Sequence, residues 1–261
     1  MMKENPKVIS SIFSINTGRS GSGYLAKILG TATNCESYHE AQPDGFGEPL
    51  RSFSNGDRSA MVEIAIKKKE QIRQANTQRK VYAETNHCFV KGFGWPLMEI
   101  IDPETVGVII LRRNPKEIAD SIMRLGTSPL SIPGQKFYLT PKHKKSEVSP
   151  PSFWGLPDEL GFEAAKKMIR ILYKFNKLGV GENYPRRAFA KYQRALTDWY
   201  ISETAALERR FRKTYPQCAY FEICIDDLNN AEHVQRLFDF FELKCTASKV
   251  PFLGVRANEK K

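Results

Sequence analysis

The sequence predicts an α/β protein: a central, mostly parallel sheet flanked by helices, with a glycine-rich, P-loop-like turn after the first strand. Three observations carry this expectation. Four short apolar runs ("VISSIFSI", "KVYAE", "VGVIILR", "AYFEICI") read as strands buried on both faces, not as half-exposed antiparallel ones. Between them lie segments whose apolar residues recur at helical spacing. Strand and helix alternate, as they must when each parallel pair needs a crossover. At 261 residues the chain can bury a sizeable core, and we read 1–261 as one domain.

Taken in order, the first strand covers Val8 to Ile15 and runs through "NTGRSGSG" into the helical pattern "GYLAKILGTA". A short strand-like stretch, "ESYHEAQ", follows. "RSAMVEIAIKKKEQIRQA" is helical and leads to the strand "KVYAE". "VGVIILR" is the clearest strand, and "NPKEIADSIMRL" starts a helix with Asn114 as N-cap and Pro115 at its first position. Residues 126–161 are rich in Pro, Gly and Ser without a period, which predicts a lid or flexible loop. Helical patterning resumes from Phe162 to Tyr215, broken near "GVGENYPRR". "AYFEICI", the amphipathic "AEHVQRLFDFFEL" and the basic tail "VPFLGVRANEKK" complete the chain.

Forty basic residues against 29 acidic leave a net charge of +11. That excess fits an anionic partner, and nucleic acid, an anionic membrane and a polyphosphorylated ligand all qualify. The densest basic runs, "IKKKE" and "PKHKK", are short and read as solvated surface. Five cysteines show no CxxC and no metal-like spacing with the four histidines, so free thiols in a reducing compartment and no metal are expected. There is neither a signal-peptide-like start nor a run approaching ~20 apolar residues, which predicts a cytoplasmic protein without a membrane span.

The loop carries the chemistry. A strand ending in a Gly-rich turn and feeding a helix aims several backbone N–H groups at one spot, a nest that binds phosphate. Gly18, Gly21 and Gly23 allow the turn, and Thr17, Ser20 and Ser22 add hydroxyls. Where a P-loop NTPase continues with Lys and Ser or Thr, this chain has Tyr24 and Leu25. Leu25 cannot bind Mg²⁺, which argues against metal-assisted phosphoryl transfer. Arg19 places a guanidinium fork inside the loop, suited to a bidentate grip on phosphate or sulfate.

"TGRSGSGYL" resembles the 5′-phosphosulfate loop of the PAPS-dependent sulfotransferases, which reads Lys or Arg, Ser, Gly, then Thr or Ser. "VIILRRNPKEIADSIMRL" is similar to that family's 3′-phosphate motif, and "FEICIDDLNNAEHVQRLFDFFEL" to its late segment. The resemblance implies PAPS (3′-phosphoadenosine 5′-phosphosulfate) as co-substrate and PAP as product. It places the 5′ end on Thr17 to Tyr24 and the 3′-phosphate on Arg113 and Ser121. It also implies a general base, because the acceptor must lose a proton. Glu40, just after the second strand, falls where tyrosylprotein sulfotransferases carry an acid. Many cytosolic members instead carry Lys-Thr-His, and the aligned triplet here is Glu84, Thr85 and Asn86, with His87 one place later. Glu40 is the expected base, with His39 and His87 behind it, and Arg19 stabilises the leaving group. Glu84 either positions the acceptor or holds Arg19. The family's C-terminal Arg-Lys-Gly segment is absent, and Arg256 is the available substitute.

The short chain resembles bacterial sulfotransferases that tailor small molecules, so the expected acceptor is a polar natural product. A carbohydrate or lipid-linked oligosaccharide is the alternative. A nucleotide or small-molecule kinase and a basic nucleic-acid-binding protein remain as other classes. The kinase lacks its Lys and Ser/Thr here, and the nucleic-acid module lacks aromatic–basic interleaving.

Overall fold

A computed structural model describes residues 8–142, 146–177 and 184–245. Two compact units make up the chain: one draws on residues up to Gly45, on Met61–Asn114 and on those from Glu208, the other on Phe46–Ala60 and Pro115–Leu207.

The first unit contains a five-stranded sheet of β1 (Ser11–Ile15), β2 (Cys35–His39), β3 (Val81–Thr85), β4 (Val106–Arg112) and β5 (Ala219–Cys224). The order is β2-β3-β1-β4-β5 and every pairing is parallel. β1 is central and buried throughout, and β3 and β4 nearly so, while β2 and β5 lie at the edges and are largely open, so β5, read from "AYFEICI" as buried on both faces, is not. Alternation along β1 divides the core. Ile12 faces a cluster with Leu25, Ile28 and Leu29 of α1 (Ser22–Leu29) and Val234, Leu237 and Phe238 of α9 (Ala231–Phe240). Phe13 faces the opposite way and stacks on Phe89 at 4.7 Å, with Phe93 and Tyr82 beside it. This second face also receives α3 (Ser59–Thr77), whose Gln71 amide oxygen lies 3.1 Å from the Tyr82 hydroxyl, and α4 (Gly94–Met98).

α3 carries an exception to the solvated reading of "IKKKE". Lys68 lies on the apolar stripe Met61, Ile64, Ala65, Ile72 and Ala75 and is fully buried. The reason is a buried carboxylate, Glu84 on β3, at 2.7 Å.

The second unit contains α2 (Glu48–Ser54), α5 (Pro115–Arg124), α6 (Ile132–Phe137), α7 (Asp158–Lys177) and most of α8 (Tyr184–Thr214). α5 begins at Pro115, where the capping pattern put it. The stretch 126–161 is not structureless. "SIPG" starts α6, with the Ser131 hydroxyl accepting from the Gly134 N–H at 3.0 Å and a proline in the first turn. Phe153 and Leu156 then close a tight turn through Trp154 and Gly155, both at positive φ. Trp199 and Tyr200 pack as a core helix would: the indole N–H donates to the Val148 carbonyl and the Tyr200 ring lies against Tyr138. The interruption at 178–183 and the tail bearing Arg256 lie outside the described residues.

Candidate active site

A parallel sheet delivers the carboxyl ends of all its strands to one edge, where open α/β sheets bind ligands. Here that edge collects Asn16 after β1, Glu40 after β2, Asn86 and His87 after β3, Arg113 after β4 and Ile225 after β5.

The β1–α1 loop is shaped by its own side chains. The Asn16 carboxamide donates to Ser14 Oγ at 2.8 Å and accepts from the Gly18 N–H at 2.9 Å, turning the chain away from the strand. Gly18, Arg19 and Gly21 then take positive φ, 79°, 56° and 91°. Such a run of left-handed residues aims successive N–H groups inward. Only Arg19 among the three bears a side chain, a strained choice that cages and ligand clamps share. α1 opens at Gly21 with no side-chain cap and no acidic residue in its first turn. The first backbone bonds into it run from Tyr24 and Leu25 to the Gly21 carbonyl, so the N–H groups of Ser22 and Gly23 open the helix as at an anion-binding N-terminus. Within this cradle the Ser20 hydroxyl is wholly buried and has no hydrogen-bond partner. A buried hydroxyl without a partner costs free energy unless a ligand satisfies it. The residues therefore fit the phosphate end of an anionic co-substrate.

Neighbouring strand ends brace the loop. Arg113 donates to the Arg19 carbonyl at 2.9 Å. The Cα of Gly21 lies against Ile225, so a Cβ there would overlap that side chain. The Thr17 hydroxyl donates to the Gly18 carbonyl. The side chain of Tyr24, assigned above to the co-substrate, points to the late segment: its hydroxyl meets the Asn229 amide oxygen at 3.1 Å.

Two imidazoles lie against the loop where glycine leaves room. A Cβ on Gly18 would sit 3.4 Å from the His87 ring, and one on Gly23 3.4 Å from that of His39. His39 Nδ1 is 3.0 Å from the Thr85 carbonyl, which can only accept, so this nitrogen carries a proton. Its position follows from register, because His39 pairs with Thr85 across β2 and β3.

Glu40 takes φ 53° and brings its carboxylate to 3.6 Å from His87 Nε2. Burial raises its pKa, against the charges of His39 and Lys91, which lower it. His87 is buried, and burial followed by the Lys91 and His39 charges holds its pKa well below the ordinary histidine value, so the ring is neutral. Its Nδ1 meets the amine of Lys91. Lys91 is itself buried, and desolvation brings its pKa down to about 7.

Beneath these groups, Glu84 is committed to a network of its own and neither faces an acceptor nor holds Arg19. It takes Lys68 on both oxygens, the Tyr82 hydroxyl at 2.6 Å and the Asn86 amide at 3.0 Å. Asn86 in turn accepts from the Cys88 N–H, which ties the turn carrying His87 to the buried pair.

The structure thus brings together residues 17–23, His39, Glu40, His87 and Arg113 in the first unit. Ser121 is buried on α5 of the second unit. Arg112, next to Arg113, is structural and pairs with Glu208 and Glu222. Asn16, Lys68 and Lys91 were missed. Asn16 carries the signal of an Asx turn, Lys68 that of a lysine on an apolar stripe, and Lys91 only its place four residues after His87. Among the described residues no cluster of three or more His, Cys, Asp or Glu can hold a metal, and no helix is long and apolar enough to cross a membrane.

No protein-family model matches the chain, and no curated protein does. Among solved structures the chain is similar to the sulfotransferase domain from the curacin biosynthetic pathway. That similarity is at 15% identity and a TM-score of 0.46, and it covers 92% of this chain and 75% of that one.

Proposed function

We propose that this protein moves a sulfuryl group from PAPS to a hydroxyl or amine of a small polar acceptor, of the kind found in natural products. The observation that carries the reading is the buried Ser20 hydroxyl without a partner, in a lysine-free loop that ends at an uncapped helix N-terminus. Beside it lies a carboxylate whose pKa is raised, as a base working near neutrality requires. When bound, PAPS supplies the activated sulfuryl group and departs as PAP. The loop N–H groups and Ser20 hold its 5′ end, and Arg19 offsets the negative charge that grows on the leaving phosphate. Glu40 takes the acceptor's proton. The neutral His87 beside it excludes water from one side of that carboxylate and adds no charge. Arg113 keeps the loop closed through the Arg19 carbonyl, and by resemblance it also meets the 3′-phosphate.

The test is thermal unfolding with PAP and, separately, with ATP–Mg²⁺. At ~100 times its Kd, a ligand specific to the native state adds about 2.7 kcal/mol. PAP is expected to stabilise the protein and Arg113→Ala to abolish the effect. Acceptor panels of small polar metabolites and of saccharides, read by product mass, follow. Glu40→Gln is expected to lower transfer by ~10²–10⁴-fold while PAP still binds. Stabilisation by ATP–Mg²⁺ alone would make the loop a kinase site, and no response to either nucleotide overturns the proposal.

A further inference from the structure

Lys91 has no part in the resemblance, yet it is a buried amine one side chain removed from the base. Its amine meets His87 at Nδ1, and His87 presents Nε2 to Glu40 at 3.6 Å. The ring is buried, and its face lies across from Gly18, where a methyl group would make ordinary van der Waals contact at 3.4 Å. We propose that Lys91 is a positioning residue that acts through His87: by donating to Nδ1 it keeps the imidazole proton on Nε2, facing the carboxylate of Glu40. This assignment to the base rests on the function proposed above, whereas the site of the proton does not.

The argument is one of donors and acceptors. A neutral imidazole has one donor and one acceptor nitrogen. An ionised carboxylate only accepts, and an ammonium only donates. With Lys91 on one side and Glu40 on the other, one tautomer satisfies both contacts. The reverse tautomer sets a lone pair against the carboxylate and, when Lys91 is charged, a proton against a proton. The tautomer set by Lys91 therefore turns a donor, not a lone pair, toward the carboxylate 3.6 Å away. Lys91 also places a cation near Glu40, opposing the burial that would otherwise keep it protonated.

Other groups around Lys91 do not replace this role. The Cys88 thiol, pushed up to about 12 by burial, bonds the Gly45 carbonyl. Glu84 is occupied by Lys68, and His39 is bonded to Thr85. Asp44 faces the same cluster and adds to the burial that raises Glu40.

The first measurement needs no variant: ¹⁵N–¹H long-range correlation spectra of the His87 ring in the full chain between pH 6 and 9. The proton is expected on Nε2, and a proton on Nδ1 overturns the proposal outright. Lys91→Gln keeps a donor without a charge and should retain this tautomer. Lys91→Met keeps neither and should give a mixture. With transfer activity in hand, Lys91→Met should lower kcat about tenfold, less than loss of the base itself. It should also move the acid limb of the pH profile upward and leave the KM for PAPS within about twofold. PAP-dependent thermal shifts confirm that each variant is folded. An unmoved acid limb with an unchanged His87 spectrum in Lys91→Met refutes the positioning role. A wild-type protein that ignores PAP refutes the proposed function instead and leaves the tautomer to be read on its own.

Discussion

Replacing Lys68 with methionine tests the claim that a buried ion pair organises the site's floor. Both side chains of the Lys68–Glu84 pair are fully buried, with the amine 2.7 Å and 2.9 Å from the two carboxylate oxygens. Methionine fills a similar volume, so packing along the α3 stripe is conserved and the change removes the charge together with the amine's 2.8 Å bond to the Ala41 carbonyl. Glu84 would keep the Tyr82 hydroxyl and the Asn86 amide, two neutral donors for a full negative charge. Removing one partner from a buried pair costs about 3–5 kcal/mol. For a chain of this size, each kcal/mol moves the midpoint by about 2–4 °C, so the expected fall is about 6–20 °C. The assay is thermal and urea unfolding of wild type, Lys68→Met, Glu84→Gln and the double variant. The double variant buries no charge and should cost no more than either single change, an interaction energy of at least about 3 kcal/mol. A Lys68→Met cost below about 1 kcal/mol, or additive singles, would refute the reasoning.

Three further outcomes are expected. Gly21→Ala forces a Cβ into Ile225 at φ 91°, so it should destabilise the protein by about 1–3 kcal/mol and weaken PAP binding, read by unfolding and calorimetry. Lys91 titrates near 7 in the folded protein and near 10.5 when unfolded, so between those values the unfolded chain holds the extra proton. Stability should therefore rise with pH across that window in the wild type, and this contribution should be absent from Lys91→Met, as measured by urea unfolding from pH 6 to 10. Iodoacetamide should label the exposed Cys224 well before the buried Cys35 and Cys88, whose thiols burial pushes up to about 12, with peptide mass spectra giving the order.

Much of the site was legible because its determinants are local. Glycines at 18 and 21 mark positive φ, an apolar run marks a buried strand, and Pro115 marks a helix start. Given a parallel sheet, the residues just after each strand share one edge, which is why Arg19, Glu40 and Arg113 lie in a common region. The side chain of Tyr24, unlike those of its neighbours in the loop, follows the helix face toward Asn229.

By itself, then, the sequence determined the alternation of strands and helices, the lysine-free loop and the acid that follows β2, since periodicity and turn chemistry act within a few residues. Tertiary structure decided which charges are buried and with whom. Lys68 is inside because β3 brings Glu84 to it, and Lys91, which meets His87 four residues away, is buried with it by the surrounding fold. Desolvation and Coulomb attraction depend on distance through space, so neither partner is marked in its own stretch of chain.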